Sequence, residues 1–266
     1  MKHWKYIRYC YFVVALVLIA ATMAVPAAAP PQDGNLPIIL YHNITYNYTR
    51  ENHKMHVDPA RLEEQLKAIK EAGYNTIFLE DYVNYLEGKA VLPEKPLVIT
   101  FDDGYTSNYE YAFPLLKKYG MKATIFVITS RMGTQETQYP HFTWEQAREM
   151  ESSGVIRIES HTNTHPDMSA LSPQEQEAEI RRSKYLLDTN LHKNCKMLAF
   201  PYGRYTEGAI ELARKAGFEL SVLVGDRGSN KKENGAYHLK RFTVSGLQTG
   251  QELVDHIEYL KQHPDE

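Results

Sequence analysis

The chain has 266 residues, 43% of them hydrophobic and 24% charged, with a formal net charge of -3. Those proportions fit a soluble globular protein of one domain or two small ones, and they exclude a disordered, collagen-like or polytopic membrane chain. The first 29 residues hold three of the 30 basic side chains and none of the 33 acidic ones, so the formal charge without them is -6. Nucleic acid is a poor partner for such a body, because its binding rests on Lys and Arg displacing counterions from phosphate.

The amino terminus reads as an export segment. Lys2, Lys5 and Arg8 precede an uncharged run from Tyr9 to Val25, and the small residues Ala27, Ala28 and Ala29 follow. Basic, apolar and small residues in that order make a secretory signal. The run falls slightly short of the ~20 residues that span a bilayer and exceeds the ~7–15 of a signal core, so residues 1–29 are a signal peptide or an N-terminal membrane anchor. Either one predicts a protein that is secreted or held at the cell surface. Residues 30–35 form a polar linker with two prolines, and 36–266 form one domain. Of the two cysteines only Cys195 lies in that domain, so an ordinary core has to stabilise it in place of a disulfide framework.

Strand-like runs are expected at 37–41, 76–79, 97–101, 123–128, 155–159, 197–200, 220–224 and 240–244, with helix-period stretches between them. Asp58-Pro59 opens one helix, with Leu62, Leu66 and Ile69 on its buried face and Gly73 as its stop. Ser172-Pro173 opens another, and a third runs from 205 to 216 and closes at Gly217. Repeated β-α units with short connections imply a parallel sheet, and so many in one domain imply a barrel. In such a barrel the chemistry sits where the strands end.

Four strand ends carry chemical groups. The run Leu97 to Phe101 ends directly in Asp102-Asp103-Gly104, two adjacent carboxylates that need positive charge beside them. An Asp-Asp-Gly taken alone is a polar turn. The run Val155 to Glu159 leads into Ser160-His161-Thr162-Asn163-Thr164-His165, whose two histidines can aim two imidazole nitrogens at one ion. Together with a strand-end aspartate they make the N,N,O ligand set of a catalytic zinc-type site with open positions. The third is Phe200-Pro201-Tyr202-Gly203, and the first strand delivers His42 to the same rim.

Thr100 to Gly104, Ser160 to His165 and Phe200 to Gly203 together resemble the polysaccharide deacetylase family, carbohydrate esterase family four, over roughly Leu36 to the end. The resemblance implies a distorted (β/α) barrel, here of about seven to eight parallel strands, and a metal-dependent hydrolase that removes acetyl groups from an N-acetylated polysaccharide. It implies Asp103, His161 and His165 as metal ligands, Asp102 as general base, and the backbone N–H of Tyr202 as an oxyanion donor. Zinc fits the borderline N/O set best, and cobalt or nickel fit the same geometry.

Two departures separate this sequence from the fuller family pattern. The arginine that pairs with the base is replaced by Ala199, and the C-terminal Leu-x-His of the general acid has no clear equivalent. Both resemble the branch that acts on poly-beta-1,6-N-acetylglucosamine, in which an N-terminal Tyr-His supplies the acid. That branch implies His42 in the role, with His238 as the other candidate and Arg241 as a source of positive charge. Peptidoglycan, chitin oligomers and O-acetyl xylan stay open as substrates, as does a catalytically silent carbohydrate-binding domain on the same fold. Tyr41, Tyr105, Tyr109, Tyr139, Phe142, Trp144 and Tyr202 are expected in or near the rim loops, where flat rings with polar edges suit sugar faces.

Overall fold

A computed structural model of the chain describes residues 35–47, 49–225 and 229–263. In chain order it contains β1 (Ile38–Tyr41), β2 (Asn43–Ile44), β3 (His56–Val57), α1 (Pro59–Glu71), β4 (Asn75–Thr76), α2 (Leu79–Leu86), β5 (Pro96–Phe101), α3 (Phe113–Tyr119), β6 (Ala123–Val127) and α4 (Trp144–Ser152). There follow β7 (Ile156–Ser160), α5 (Pro173–Leu191), β8 (Met197–Ala199), α6 (Glu207–Ala216), β9 (Leu220–Val222), β10 (Phe242–Thr243) and α7 (Gly250–Gln262). The export segment and most of the linker lie outside the described residues. Among the described residues no helix is long and apolar enough to cross a membrane.

Local chemistry accounts for the helix boundaries. Asp58 caps α1 by accepting from Ala60 N–H at 2.8 Å, with Pro59 in the first turn. Ser172 and Glu175 form a reciprocal capping box ahead of α5, and Gly217 at φ 96° ends α6. The expected strand at 76–79 is shorter than the sequence suggests. It ends at Thr76, and Leu79 starts α2, where Asp81 accepts from the Phe78 N–H at 2.9 Å and so fixes a helix start in place of a longer strand.

Seven strands follow one another in the order β10-β1-β5-β6-β7-β8-β9, every neighbouring pair parallel, with β4 paired to β5 off this path. The two ends of the path meet. Val222 and Gly225 bridge in parallel to Leu239 and Phe242, with the Leu223 N–H donating to the Leu239 carbonyl at 2.8 Å and the Gly225 N–H to that of Arg241 at 3.1 Å. The sheet is thus a distorted (β/α) barrel whose closing segment, Leu239 to Thr243, makes few ladder bonds on either side. Its expected strand at 240–244 shrinks to two residues for that reason.

Alternation along the strands divides the core into two layers. Ile39, Leu97, Ile99, Phe101, Ile156 and Ile158 pack outward against the helices. Ile38, Val98, Phe126, Ala199, Val222 and Leu239 fill the interior, which α2 plugs with Leu79 and Tyr82. The interior row of each strand continues past its end, and those continuations carry the site.

Candidate active site

Along β5 the interior row is Val98, Thr100 and then Asp102, which is fully buried. Asp103 leaves the strand at φ 73° and Gly104 follows at φ 81°. Two left-handed residues in succession turn the chain sharply enough to hold adjacent carboxylates on different sides of the rim. A Cβ at Gly104 would stand 2.9 Å from Val127 Cγ1, so space as well as φ demands glycine.

Along β7 the same alternation carries Arg157, Glu159 and then His161 inward. The His161 Nδ1–H donates to the Ala199 carbonyl at 2.8 Å, because a carbonyl oxygen can only accept. That bond fixes the tautomer and leaves Nε2 facing Asp102 and Asp103 at 3.6 and 3.7 Å. The following turn is pinned by Glu179 of α5, which accepts from the N–H groups of Asn163 at 2.9 Å and Thr164 at 2.7 Å. It delivers His165, whose Nε2 lies 3.6 Å from Asp103 Oδ1.

One donor atom each from Asp103, His161 and His165 falls within 4.8 Å of the others. The Asp103 to histidine separations are too long for hydrogen bonds, and they suit ligands that each sit ~2.0–2.2 Å from a shared ion. Burial, followed by the neighbouring His161, lowers the His165 pKa to about 4, so its imidazole is neutral as a ligand must be. The residues therefore fit a divalent cation. Of the six non-glycine residues with positive φ among the described residues, four are Asp103, Thr162, His165 and Tyr202, so backbone strain concentrates here.

Asp102, the expected base, meets the positive charge expected of Arg241. Leu239 and Arg241 occupy the interior row of the closing segment, and Arg241 is fully buried. Its Nη1 donates to Asp102 Oδ1 at 2.7 Å and its Nη2 to Oδ2 at 2.6 Å, while Nε donates to the Leu223 carbonyl at 3.0 Å. Burial alone would raise the Asp102 pKa, but the Arg241 charge, His161 and the paired hydrogen bonds overcome it and bring the carboxyl down to about 2. Arg241 thus supplies the charge that Ala199 lacks.

His42, at the end of β1, is 9% exposed, and its Nδ1 has no hydrogen-bond partner. Burial lowers its pKa, and the charges of Asp102 and Asp103 oppose that shift, so the ring lies within electrostatic reach of both carboxylates. His238 points elsewhere. Its Nε2 lies 3.5 Å from Glu207 and its ring packs on Tyr205, on the outer surface. Tyr202, at φ 59°, sets its ring edge-on to His165 at 4.7 Å.

The aromatic rim is smaller than expected. Tyr41 and Phe142 are fully buried core residues, Tyr41 stacked on Phe101 with its hydroxyl donated to Gln65 at 3.1 Å. The structure adds groups that the motifs did not single out for the site. Burial, followed by the charge of nearby Asp103, raises the Tyr105 pKa, and buried His141 bridges to Tyr105 through the backbone with the rings 5.2 Å apart. Tyr105 was legible from its place after Gly104, but nothing in the sequence around His141 points to it.

The polysaccharide deacetylase profile matches residues 89–221, half of the chain. YxkH of Bacillus subtilis, a candidate polysaccharide deacetylase, is 37% identical over 230 residues, covering 86% of this chain and 78% of its own. A poly-beta-1,6-N-acetyl-D-glucosamine N-deacetylase of Staphylococcus aureus is 26% identical over 212 residues, 75% of this chain and 71% of its own. Among solved structures, the Streptococcus pyogenes deacetylase PplD in complex with acetate superposes with a TM-score of 0.75 at 30% identity, covering 84% of this chain and 98% of that one. The profile over half of the chain, the identity to YxkH and the fold shared with PplD make the chain a member of the polysaccharide deacetylase family, hydrolases acting on N-acetyl amides.

Proposed function

We propose that this enzyme removes N-acetyl groups from poly-beta-1,6-N-acetylglucosamine outside the cytoplasm. The observation that carries the reading is the arrangement of Asp102, clamped by Arg241 on one side and facing His161 on the other. The similarity to the staphylococcal deacetylase supports the choice of polymer. The basic and apolar order of residues 1–29 supports secretion or display at the cell surface.

Asp103, His161 and His165 would hold a divalent metal, zinc by the softness of the donor set, which would supply Lewis acidity toward water and the acetyl carbonyl. Asp102 accepts the proton of the attacking water. Arg241 keeps that carboxylate ionised and oriented, with both oxygens engaged, so the nucleophile meets a fixed acceptor. The Tyr202 N–H is the expected donor to the developing oxyanion, at a site where a preorganised backbone dipole needs no rearrangement. His42 gives a proton to the departing amine, without which an amide C–N bond breaks poorly. Its burial and the unpartnered Nδ1 suit a ring whose proton is destined for substrate.

The test is acetate release from beta-1,6-linked N-acetylglucosamine oligomers with and without chelator, with chitin oligomers and peptidoglycan fragments as comparators. Chelator-sensitive release, fastest on the beta-1,6 oligomer, is the expected result. Faster release from either comparator would reassign the polymer. No release from any of them would remove the hydrolytic reading and leave a carbohydrate-binding domain.

A further inference from the structure

Beside the metal cluster, across the Tyr105–Tyr139 ring pair, lies a second concavity of about 320 Å³. Tyr105, within electrostatic reach of Asp103 on one side, meets Tyr139 edge-on, with centroids 6.0 Å apart, on the other. Tyr139 and Tyr111 line this pocket, and exposed Tyr46 stands edge-on to Tyr111 at 5.7 Å. The volume is at the small end of ligand pockets and fits one sugar ring, and aromatic walls of this kind suit its faces.

Polar groups set the chemistry of the pocket. Thr106, which lines it, is 8% exposed, and its Oγ1 has no hydrogen-bond partner. Asn43, also in the lining, is held in place from two sides, accepting from Ser107 Oγ at 2.6 Å and bonding His56 Nδ1 at 3.1 Å. Among the lining residues Glu110 alone is charged, and it is exposed at the rim with no ion-pair partner among the described residues.

A pocket with hydroxyl and amide groups, tyrosine walls and a single carboxylate is complementary to a sugar that carries a cation. We propose that it is a subsite for a glucosamine residue, already deacetylated, a short way along the polymer from the one being cleaved, and that Glu110 reads its ammonium. The inference deepens the proposed function and rests on it, since the substrate must be an amino-sugar polymer. It makes deacetylation self-reinforcing. Each amine uncovered by the enzyme becomes a handle for placing a further N-acetyl group at the metal cluster, so acetate would be lost in runs along a chain and not at random.

The experiment compares two beta-1,6-linked pentamers, one fully acetylated and one carrying a single glucosamine, through the ratio of their kcat/KM values. A ratio taken within one enzyme cancels any general loss of activity. For the wild type the mixed pentamer should be favoured by about 3-fold, the size of a partly exposed ion pair, and the preference should fade at high salt. The ratio should fall to about one in Glu110→Gln and below one in Glu110→Lys. A wild-type ratio of one, or a preference that survives Glu110→Gln, overturns the subsite. If neither pentamer is cleaved, the assigned polymer is wrong, and direct binding decides the subsite separately. A deacetylated beta-1,6-glucosamine tetramer should bind the wild type about 3-fold more tightly than Glu110→Gln at mildly acidic pH, and equal affinities would sink it.

Discussion

Arg241 and Asp102 form a two-bonded, fully buried ion pair across the seam where the barrel closes, with oxygen to nitrogen distances of 2.6 and 2.7 Å. One partner extends the interior row of β5 and the other sits on the closing segment, so the contact that orients the Asp102 carboxylate also ties the last strand of the barrel to its centre. Removing one member of such a pair leaves the other charge buried and unpaired, which costs about 3–5 kcal/mol. Arg241→Met should therefore lower the unfolding free energy from urea denaturation by that amount and abolish turnover. Arg241→Lys keeps the charge but loses the planar fork, so it should recover part of the stability while kcat stays at least about 10-fold down. A lysine variant with full kcat would show that the geometry of the fork is irrelevant to the base.

The metal cluster and the base make separable predictions because they are adjacent residues with different neighbours. Asp103 faces both His161 and His165, whereas Asp102 is gripped by Arg241 and faces only His161 of the two histidines. Asp103→Asn, His161→Ala and His165→Ala should each lose bound metal, measured by elemental analysis of the purified protein. Asp102→Asn should retain metal and lose acetate release. Equal metal content in the wild type and all three ligand variants would remove the cluster from the mechanism.

His42 and His238 divide clearly in the structure, and kinetics can test the division. His42→Ala should cut kcat by about 10²–10⁴-fold, the usual contribution of a positioned acid, with little change in metal content. His238→Ala should leave kcat within about 2-fold, because its partners are Glu207 and Tyr205 on the outer surface. The reverse pattern would transfer the acid role to His238.

Much of this architecture was readable before any coordinates because the informative residues sit at strand ends. Asp102, Asp103 and His161 each terminate an apolar run, and simple alternation predicts which of them turns inward. The distortion of the barrel was less legible. Residues 240–244 read as one more strand, yet the ladder bonds of this closing segment are shared thinly between β9 and β1, a tertiary outcome that no local pattern encodes. The bidentate grip of Arg241 on Asp102 was hidden for a related reason. The two residues are 139 positions apart, and only closure of the sheet brings the guanidinium to the carboxylate. Tyr41 and Phe142 show the opposite error, since aromatic rings near strand ends serve core packing as readily as sugar binding.

His141 supplies a prediction about acid stability that is independent of turnover. It is 3% exposed, its Nε2 has no hydrogen-bond partner, and burial, with the nearby Arg131 charge, lowers its pKa from 6.5 to about 4. A histidine with a depressed folded pKa is protonated first in the unfolded chain. Its penalty is absent above pH 6.5, grows as pH falls toward 4, and levels off below that. The full shift corresponds to about 3 kcal/mol, and about 2 kcal/mol is a fair expectation once partial screening is allowed for. His141→Gln, which fills similar space without titrating, should therefore flatten the fall in unfolding free energy between pH 6.5 and 4, measured with chelator present so that ligand protonation on metal loss affects both proteins alike. Parallel curves for the two proteins across that window would show that His141 is protonated as easily folded as unfolded, and that the packing around Tyr105 is looser than its burial implies.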